Sequence, residues 1–353
     1  MSSAGAPQPA CAALRRGGAD DEVVRFAREV GPDGPVAAVG ARTRWTLGGT
    51  PTPGTRLVPV PGGVVEHRAE EMTVRVRAGT PVAELHSELA ASGQRTSLPE
   101  RGGTVGGALA VGESHLCALG RGPVRDAVLQ VRYVSADGRV VTGGGPTVKN
   151  VSGYDLPRLL VGSLGTLGLI AEVVLRTQPV PAAGCWFRAE GADPWAARDL
   201  LYRPAAILWD GGSVWARLEG DPADVSDSRS ALDRVGTWEE VAGPPVLPPQ
   251  RWSLRPRELR QGPVAGYGPN WVAEIGVGTV HASSMQPPRR VQAAVVELHR
   301  RLKEGFDPTG RLAPGRSVLG AVLVDAPSAS VSGAGSGAVP TGTGGVEAAG
   351  SAG

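Results

Sequence analysis

The chain has 353 residues, 41% of them hydrophobic, and 36 Lys and Arg against 34 Asp and Glu leave a net charge of +2. That length is enough to bury a full core and to hold two domains, while the near-neutral balance supplies no basic field for nucleic acid. Three cysteines, Cys11, Cys117 and Cys185, show neither metal-ligand spacing nor a disulfide framework, which predicts a reducing, cytoplasmic setting.

Residues 1–19 are small, polar and proline-containing, without the apolar core of a secretory signal, and read as a disordered lead-in. From Asp20 on, Val23, Val24, Phe26, Ala27 and Val30 recur at helical spacing until Gly31-Pro32 stops the pattern. A short buried strand follows at 35–40. The next loop carries Gly40, Arg42, Thr43 and Arg44, cations and a hydroxyl suited to phosphate; a solvated loop with two ordinary arginines is the alternative. Trp45 reads as packing.

Residues 73–78 alternate as a half-buried strand and run into a helix with Thr80 as N-cap, Pro81 in the first turn, Val82, Leu85 and Leu89 on one face, and Gly93 at its end. His67 and His86 are expected to be structural. Gly102, Gly103, Thr104, Gly106 and Gly107 then lead into a helix start, where outward amides with partial positive charge would stabilise a diphosphate. Cys117, two residues after His115, reads as a small buried hydrophobe.

Arg125 and Asp126 precede a strand at 127–134, and Ala136-Asp-Gly138 closes a tight hairpin. Lys149, Asn150, Tyr154 and Asp155 form a polar cluster. Asp155 is placed to cap a helix at 156–161, leaving the other three to project from the loop or, for Tyr154, to pack. Gly162, Gly165 and Gly168 lead into an apolar strand at 169–175 and make a concave row of donors. Two glycine-rich loops in one domain suggest one long ligand held at both ends.

Gln178-Pro-Val-Pro181 marks a boundary. Beyond it, strands and helices in the order β-α-β-β-α predict a small ferredoxin-like α+β cap, with Trp186, Trp209 and Trp215 in its core. Residues 242–268, rich in Pro and Arg, read as a crossing back to the first domain. Val291, Val295, Leu298, Leu302 and Phe306 mark a helical stripe over 288–306. Residues 317–353 read as a low-complexity disordered tail, and the apolar piece at 318–324 is far short of the ~20 residues that cross a bilayer.

Taken together, residues 102–108, 122–126, 136–140, 149–155 and 162–170 resemble the FAD domain of the vanillyl-alcohol oxidase and p-cresol methylhydroxylase (PCMH-type) family, and within it look most like the smaller, E-type FAD-binding subunit of bacterial glycolate oxidase. The resemblance is dense over 37–181 and returns at 300–316, where Ala313 replaces a more usual asparagine. It implies an α+β architecture: a two-part PCMH-type FAD-binding domain at 20–181, then a cap and returning C-terminal helix at 182–316.

It further implies FAD held by Gly40, Arg42, Thr43, Gly102, Gly103, Thr104, Gly106, Gly107, Arg125, Asp126, Asn150, Gly153, Gly162, Gly165, Thr166, Gly168 and Ile170. The bond would be non-covalent, because the usual attachment histidine lies in the first glycine loop and none is present there. Lys149 and Tyr154 would approach the flavin, a cation near its N1–C2 edge favouring the reduced ring. A small 2-hydroxy acid would give its hydride to the flavin, with electrons passing to an iron–sulfur subunit, since three scattered cysteines cannot hold a four-cysteine cluster.

A larger flavoprotein subunit is the other implied partner, and any membrane association would come through these partners, the protein itself being cytoplasmic. The metal-binding His-x-Gly-Asp-Gly-Asn-x-His run of the family's larger subunits has no counterpart beyond Gly276-Val-Gly-Thr-Val-His281, so no metal is expected. His281 remains a candidate base. Among Arg251, Arg255, Arg257 and Arg260 the sequence does not choose a carboxylate partner. The alternative is a non-catalytic accessory subunit that keeps FAD beside a larger catalytic flavoprotein.

Overall fold

The computed structural model describes residues 19–145, 155–260, 266–320 and 322–325. The expected lead-in, Lys149, Asn150, Gly153 and Tyr154, and most of the expected tail lie outside the described residues.

Helix α1 (Ala19–Val30) buries Val23, Phe26, Ala27 and Val30, the stripe its spacing predicts. They pack against strand β1 (Val36–Val39), which pairs in parallel with β2 (Arg56–Pro59). After β3 (Val64–Arg68) and β4 (Thr73–Arg77) comes helix α2 (Val82–Ala90), whose buried Val82, Leu85 and Leu89 stabilise by ~1.5–3 kcal/mol each. Thr80 does not cap it. Its hydroxyl donates to Arg77 O at 2.7 Å and accepts from Gly63 N at 2.8 Å, tying the turn to the preceding loop instead.

Next come β5 (Gln94–Arg95), α3 (Val105–Val111), α4 (Ala118–Arg121), a 3-10 turn (Val124–Asp126), β6 (Val128–Val134), β7 (Val140–Gly144), α5 (Leu156–Leu160), β8 (Leu169–Arg176) and β9 (Gln178–Pro179). Asp155 caps α5 as expected, accepting from Arg158 N at 3.1 Å. One sheet has the order β3-β4-β8-β6-β7, antiparallel throughout. Central β8 is buried on both faces, Leu169 and Ala171 toward α1 and β1, Ile170, Val173 and Leu175 toward α2 and α3; hence its near-continuous apolar run. Its one buried charge, Glu172, meets Arg75 and Arg132 of the flanking strands, each at 3.4 Å.

The second sheet is larger than the expected small cap. β10 (Ala183–Glu190), α6 (Pro194–Leu200), β11 (Ala206–Trp209), β12 (Ser213–Gly220) and α7 (Pro222–Leu232) match the predicted order, but β13 (Glu239–Val241), β14 (Gln250–Ser253), β15 (Trp271–Glu274) and β16 (Thr279–Ala282) extend it. The order is β13-β10-β12-β11-β15-β16-β14. Residues 242–268 are therefore not merely a crossing: β14 pairs with β16 at the sheet edge, and helix α8 (Pro256–Leu259) follows it. One face, with Phe187, Ile207, Ala216, Leu218 and Val280, packs with Ala197 and Leu201 of the α6 region and Val225 and Leu232 of α7. The other, with Trp186, Leu208, Trp215 and Val272, meets Leu116 and Cys117 of the first unit.

β17 (Arg289–Gln292) precedes α9 (Ala293–Phe306), a shorter helix than the stripe suggested because its first residues pair in parallel with β18 (Val322–Asp325). That pairing corrects the expectation of an unstructured segment throughout 317–353. After α9 the chain returns to β1: Val36 N donates to Arg311 O at 2.9 Å and Ala313 N to Val36 O at 2.8 Å. The Arg311 guanidinium reaches the carbonyls of Val30, Asp33, Gly34 and Ala136 at 2.8–3.0 Å.

Candidate flavin and substrate site

Three cavities lie side by side, each sharing lining residues with the next. The first, about 80 Å³, lies between the loop after β1 (Gly40, Arg42, Thr43, Arg44, Trp45), the start of α3 (Thr104, Gly106, Gly107) and the start of β8 (Gly165, Gly168, Ile170). Both glycine-rich loops thus reach one cavity. The second, about 720 Å³, shares Val111 and Leu164 with the first and adds Arg125 and Gly162. The third, about 450 Å³, shares Ser114, Arg251 and Glu274 with the second and lies between residues 113–117 and the seven-stranded sheet.

The start of α3 departs from the sequence expectation. Val105 N donates to Thr80 O at 2.9 Å, Gly106 N to Ala78 O at 2.7 Å and Gly107 N to the capping Thr104 Oγ1 at 3.2 Å. Those amides are occupied within the protein, so they form a wall rather than an anion cradle. Glycine is required at Gly106 by close approach: a Cβ there would stand 2.7 Å from Ala78 Cβ and 2.9 Å from Ala78 O.

Arg44 is likewise committed, its side chain paired with buried Glu113 and donating to Gly102 O at 2.8 Å, while Arg101 reaches the other Glu113 oxygen at 3.5 Å. Among the described residues lining the first cavity, the cations without a carboxylate partner are Arg42, exposed, and Arg316. They stack on Trp45, at 5.2 and 4.6 Å from its ring centroid. Arg316 Nη2 donates to Trp45 O at 3.1 Å, and its Nε is buried without a partner. Burial pulls the Arg316 pKa down from its ordinary value. Trp45 is thus more than packing; its only signal in the sequence was its place beside two arginines, and that of Arg316 its place at the end of the closing segment.

The remaining expected residues divide. Asp126 turns to Arg158, and Arg125 stands 3.9 Å from it while lining the second cavity. Thr166 Oγ1 donates to Ser163 O at 2.7 Å and Thr166 O accepts from Lys303 Nζ at 2.8 Å, a structural placement. Gly102 and Gly103 shape the loop around Arg44 and Thr43 rather than lining the first cavity. His67 and His86 bond Gln94 and Thr96, as structural residues do.

In the third cavity His115 Nδ1 accepts from Cys117 N at 2.9 Å and its Nε2 lies 3.3 Å from Glu100. Burial pushes the Cys117 thiol up to about 11. Opposite, on β16, His281 is 3% exposed; its Nε2 lies 2.9 Å from Glu274 Oε1 of β15, and its Nδ1 is buried without a partner. In the tautomer with the proton on Nε2, the ring donates to Glu274 and the lone pair is on Nδ1. Glu274 was not anticipated from sequence, because only the hairpin brings it back to His281.

An unpartnered buried guanidinium nitrogen, a second arginine on the same indole, a close-packed glycine wall and an adjoining large cavity fit a flavin dinucleotide. Residues 18–144 match the FAD binding domain family, so this part of the chain carries an FAD-binding domain. It is 32% identical over 219 residues to the glycolate oxidase subunit GlcE of Escherichia coli (strain K12), covering 59% of this chain and 61% of that one. A D-lactate dehydrogenase of Archaeoglobus fulgidus is 47% identical over 76 residues, covering 22% of this chain and 17% of that one. The chain thus spans about three-fifths of the first relative's length and under a fifth of the second's. In fold it is similar to an alkyldihydroxyacetonephosphate synthase, with a TM-score of 0.59 at 15% identity over 84% of this chain and 74% of that one. No helix among the described residues is long and apolar enough to cross a membrane.

Proposed function

We propose that this chain is an FAD-dependent oxidoreductase acting on the CH–OH group of a 2-hydroxy acid, with residues 20–181 holding FAD and residues 182–316 forming the cap and returning helix. The observation that carries this reading is the row of three adjoining cavities, from the loops around Trp45 to a buried Glu274–His281 pair. Bound FAD supplies a two-electron acceptor for the α-hydrogen. Arg42, Thr43 and Arg316 bind its phosphates, and Lys149 and Tyr154 are assigned to the ring edge. His281 Nδ1 takes the hydroxyl proton as general base, and Glu274 fixes the ring and its tautomer. Work as one subunit of a complex is supported by relatives named as glycolate oxidase subunits; in the proposed scheme electrons pass on to an iron–sulfur subunit beside a larger flavoprotein.

An anaerobic titration of the FAD-loaded chain with glycolate and with D- and L-2-hydroxy acids, following the visible flavin band, tests the reading. Bleaching by one of them is the expected result. Flavin that stays oxidised with every acid, yet is reduced by dithionite, would place the chemistry in a partner and make this chain an FAD-bearing accessory subunit.

A further inference from the structure

Four arginines line the third cavity, and among the described residues three already face carboxylates: Arg101 meets Glu113 at 3.5 Å, while Arg121 and Arg217 meet Glu219 at 3.0 and 3.3 Å. Arg251 is the fourth. Among the described residues no carboxylate stands within salt-bridge distance of it, and its Nε is buried without a partner. It sits on β14 directly opposite His281 of β16, so the two side chains leave the same face of the sheet. Glu274 lies on that face too, two residues beyond Val272, the β15 partner of His281.

A guanidinium whose buried Nε lacks a partner, beside an imidazole whose Nδ1 also lacks one, is arranged for a ligand with an anionic group next to a hydroxyl. The rest of the cavity sets the size of that ligand. At about 450 Å³ it falls in the ~300–1,000 Å³ range of pockets that take drug-sized molecules. A two-carbon acid would leave most of it to water. Trp186, Leu116, Cys117 and Leu247 give it an apolar wall.

From this geometry we infer that Arg251 binds the carboxylate of a 2-hydroxy acid bearing an extended apolar or aromatic side chain, which lies along Trp186 and Leu247, rather than glycolate. The inference rests on the proposed oxidoreductase reading for the role of the hydroxyl, but the carboxylate and side-chain subsites are independent of turnover.

Calorimetric titration of the FAD-loaded full chain with 3-phenylpropionate and with acetate, neither of which can be oxidised at a hydroxyl, tests it. 3-Phenylpropionate is expected to bind at least about tenfold tighter than acetate. Arg251→Gln should weaken it by about 10- to 100-fold, the loss of one charge-assisted contact. Arg255→Gln, a change in an arginine at the N-terminus of α8 outside the cavity, should leave it unchanged. Leu247→Asn should erode the preference for the phenyl compound while sparing acetate. Equal affinity for the two acids, or an Arg251→Gln protein that binds as the Arg255→Gln protein does, overturns the inference.

Flavin reduction separates the two claims. If 3-phenylpropionate binds through Arg251 but no hydroxy acid bleaches the flavin, the redox reading fails and this subsite stands. If glycolate bleaches it with a kcat/KM equal to or above that of 3-phenyllactate, the subsite fails and the redox reading stands.

Discussion

Glu219 of β12 ties the seven-stranded sheet to β5 and α4 of the first unit, and its replacement is the most direct test of how the two are held together. Its carboxylate is 7% exposed and meets Arg95 of β5 at 2.8 Å, Arg121 of α4 at 3.0 Å and Arg217 at 3.3 Å. Burial pushes its pKa up, but hydrogen bonds from Arg121 and Arg95 outweigh burial and hold it at about 2 instead of 4.5. That difference corresponds to ~3 kcal/mol, in line with the ~3–5 kcal/mol lost when one member of a buried ion pair is removed. Glu219→Gln should therefore lower the thermal midpoint at pH 7 by roughly 6–12 °C. Because the folded pKa lies below the unfolded one, the stabilisation is complete above pH 4.5 and lost as pH falls toward 2. Thermal and urea unfolding of both proteins, followed by tryptophan fluorescence, should give a gap that is constant from pH 8 to 5 and closes below 4.5. A gap under about 2 °C at pH 7, or one that persists unchanged into acid, would refute the reasoning.

Three further outcomes are expected. Gly106→Ala drives a methyl into Ala78, 2.7 Å away, and should cost ~1–3 kcal/mol and reduce the FAD retained on purification, read as the flavin-to-protein absorbance ratio. With Cys11 and Cys185 changed to serine, Cys117 should react with a thiol reagent about a hundredfold more slowly than a free thiol until the protein is unfolded, because burial holds it near 11. Asp307→Ala removes the acceptor for Leu312 N at 2.7 Å and for Lys303 Nζ at 2.5 Å, so it should destabilise by ~3–5 kcal/mol and speed proteolysis between α9 and residue 316.

What the sequence disclosed was governed by local physics. The stripes of α1 and α2, the Asp155 cap and the continuous apolar run of β8 each follow from residues within a turn or two of one another, and all are present as read. What it withheld depends on distant partners. Arg44 looked like a phosphate ligand until Glu113, 69 positions away, neutralised it, and the amides of α3 looked free until Ala78 and Thr80 took them. β14 was hidden because its pairing with β16 outweighs the unfavourable Pro- and Arg-rich composition around it. Arg251 is set apart from Arg255, Arg257 and Arg260 by its pairing opposite His281, which makes it the one of the four that lines the third cavity, a property that exists only once the sheet has formed.

The clasp of Arg311 over the loop after α1, and of Val36 between Arg311 and Ala313, has a consequence for biosynthesis. A ribosome delivers β1 long before it delivers residues 307–316, and the whole seven-stranded sheet is made in between. The nascent amino-terminal half must therefore wait, its first strand open along one side, while the inserted half is completed. Vectorial folding of this chain is accordingly inside-out: the later half can mature first, and the earlier half is sealed last.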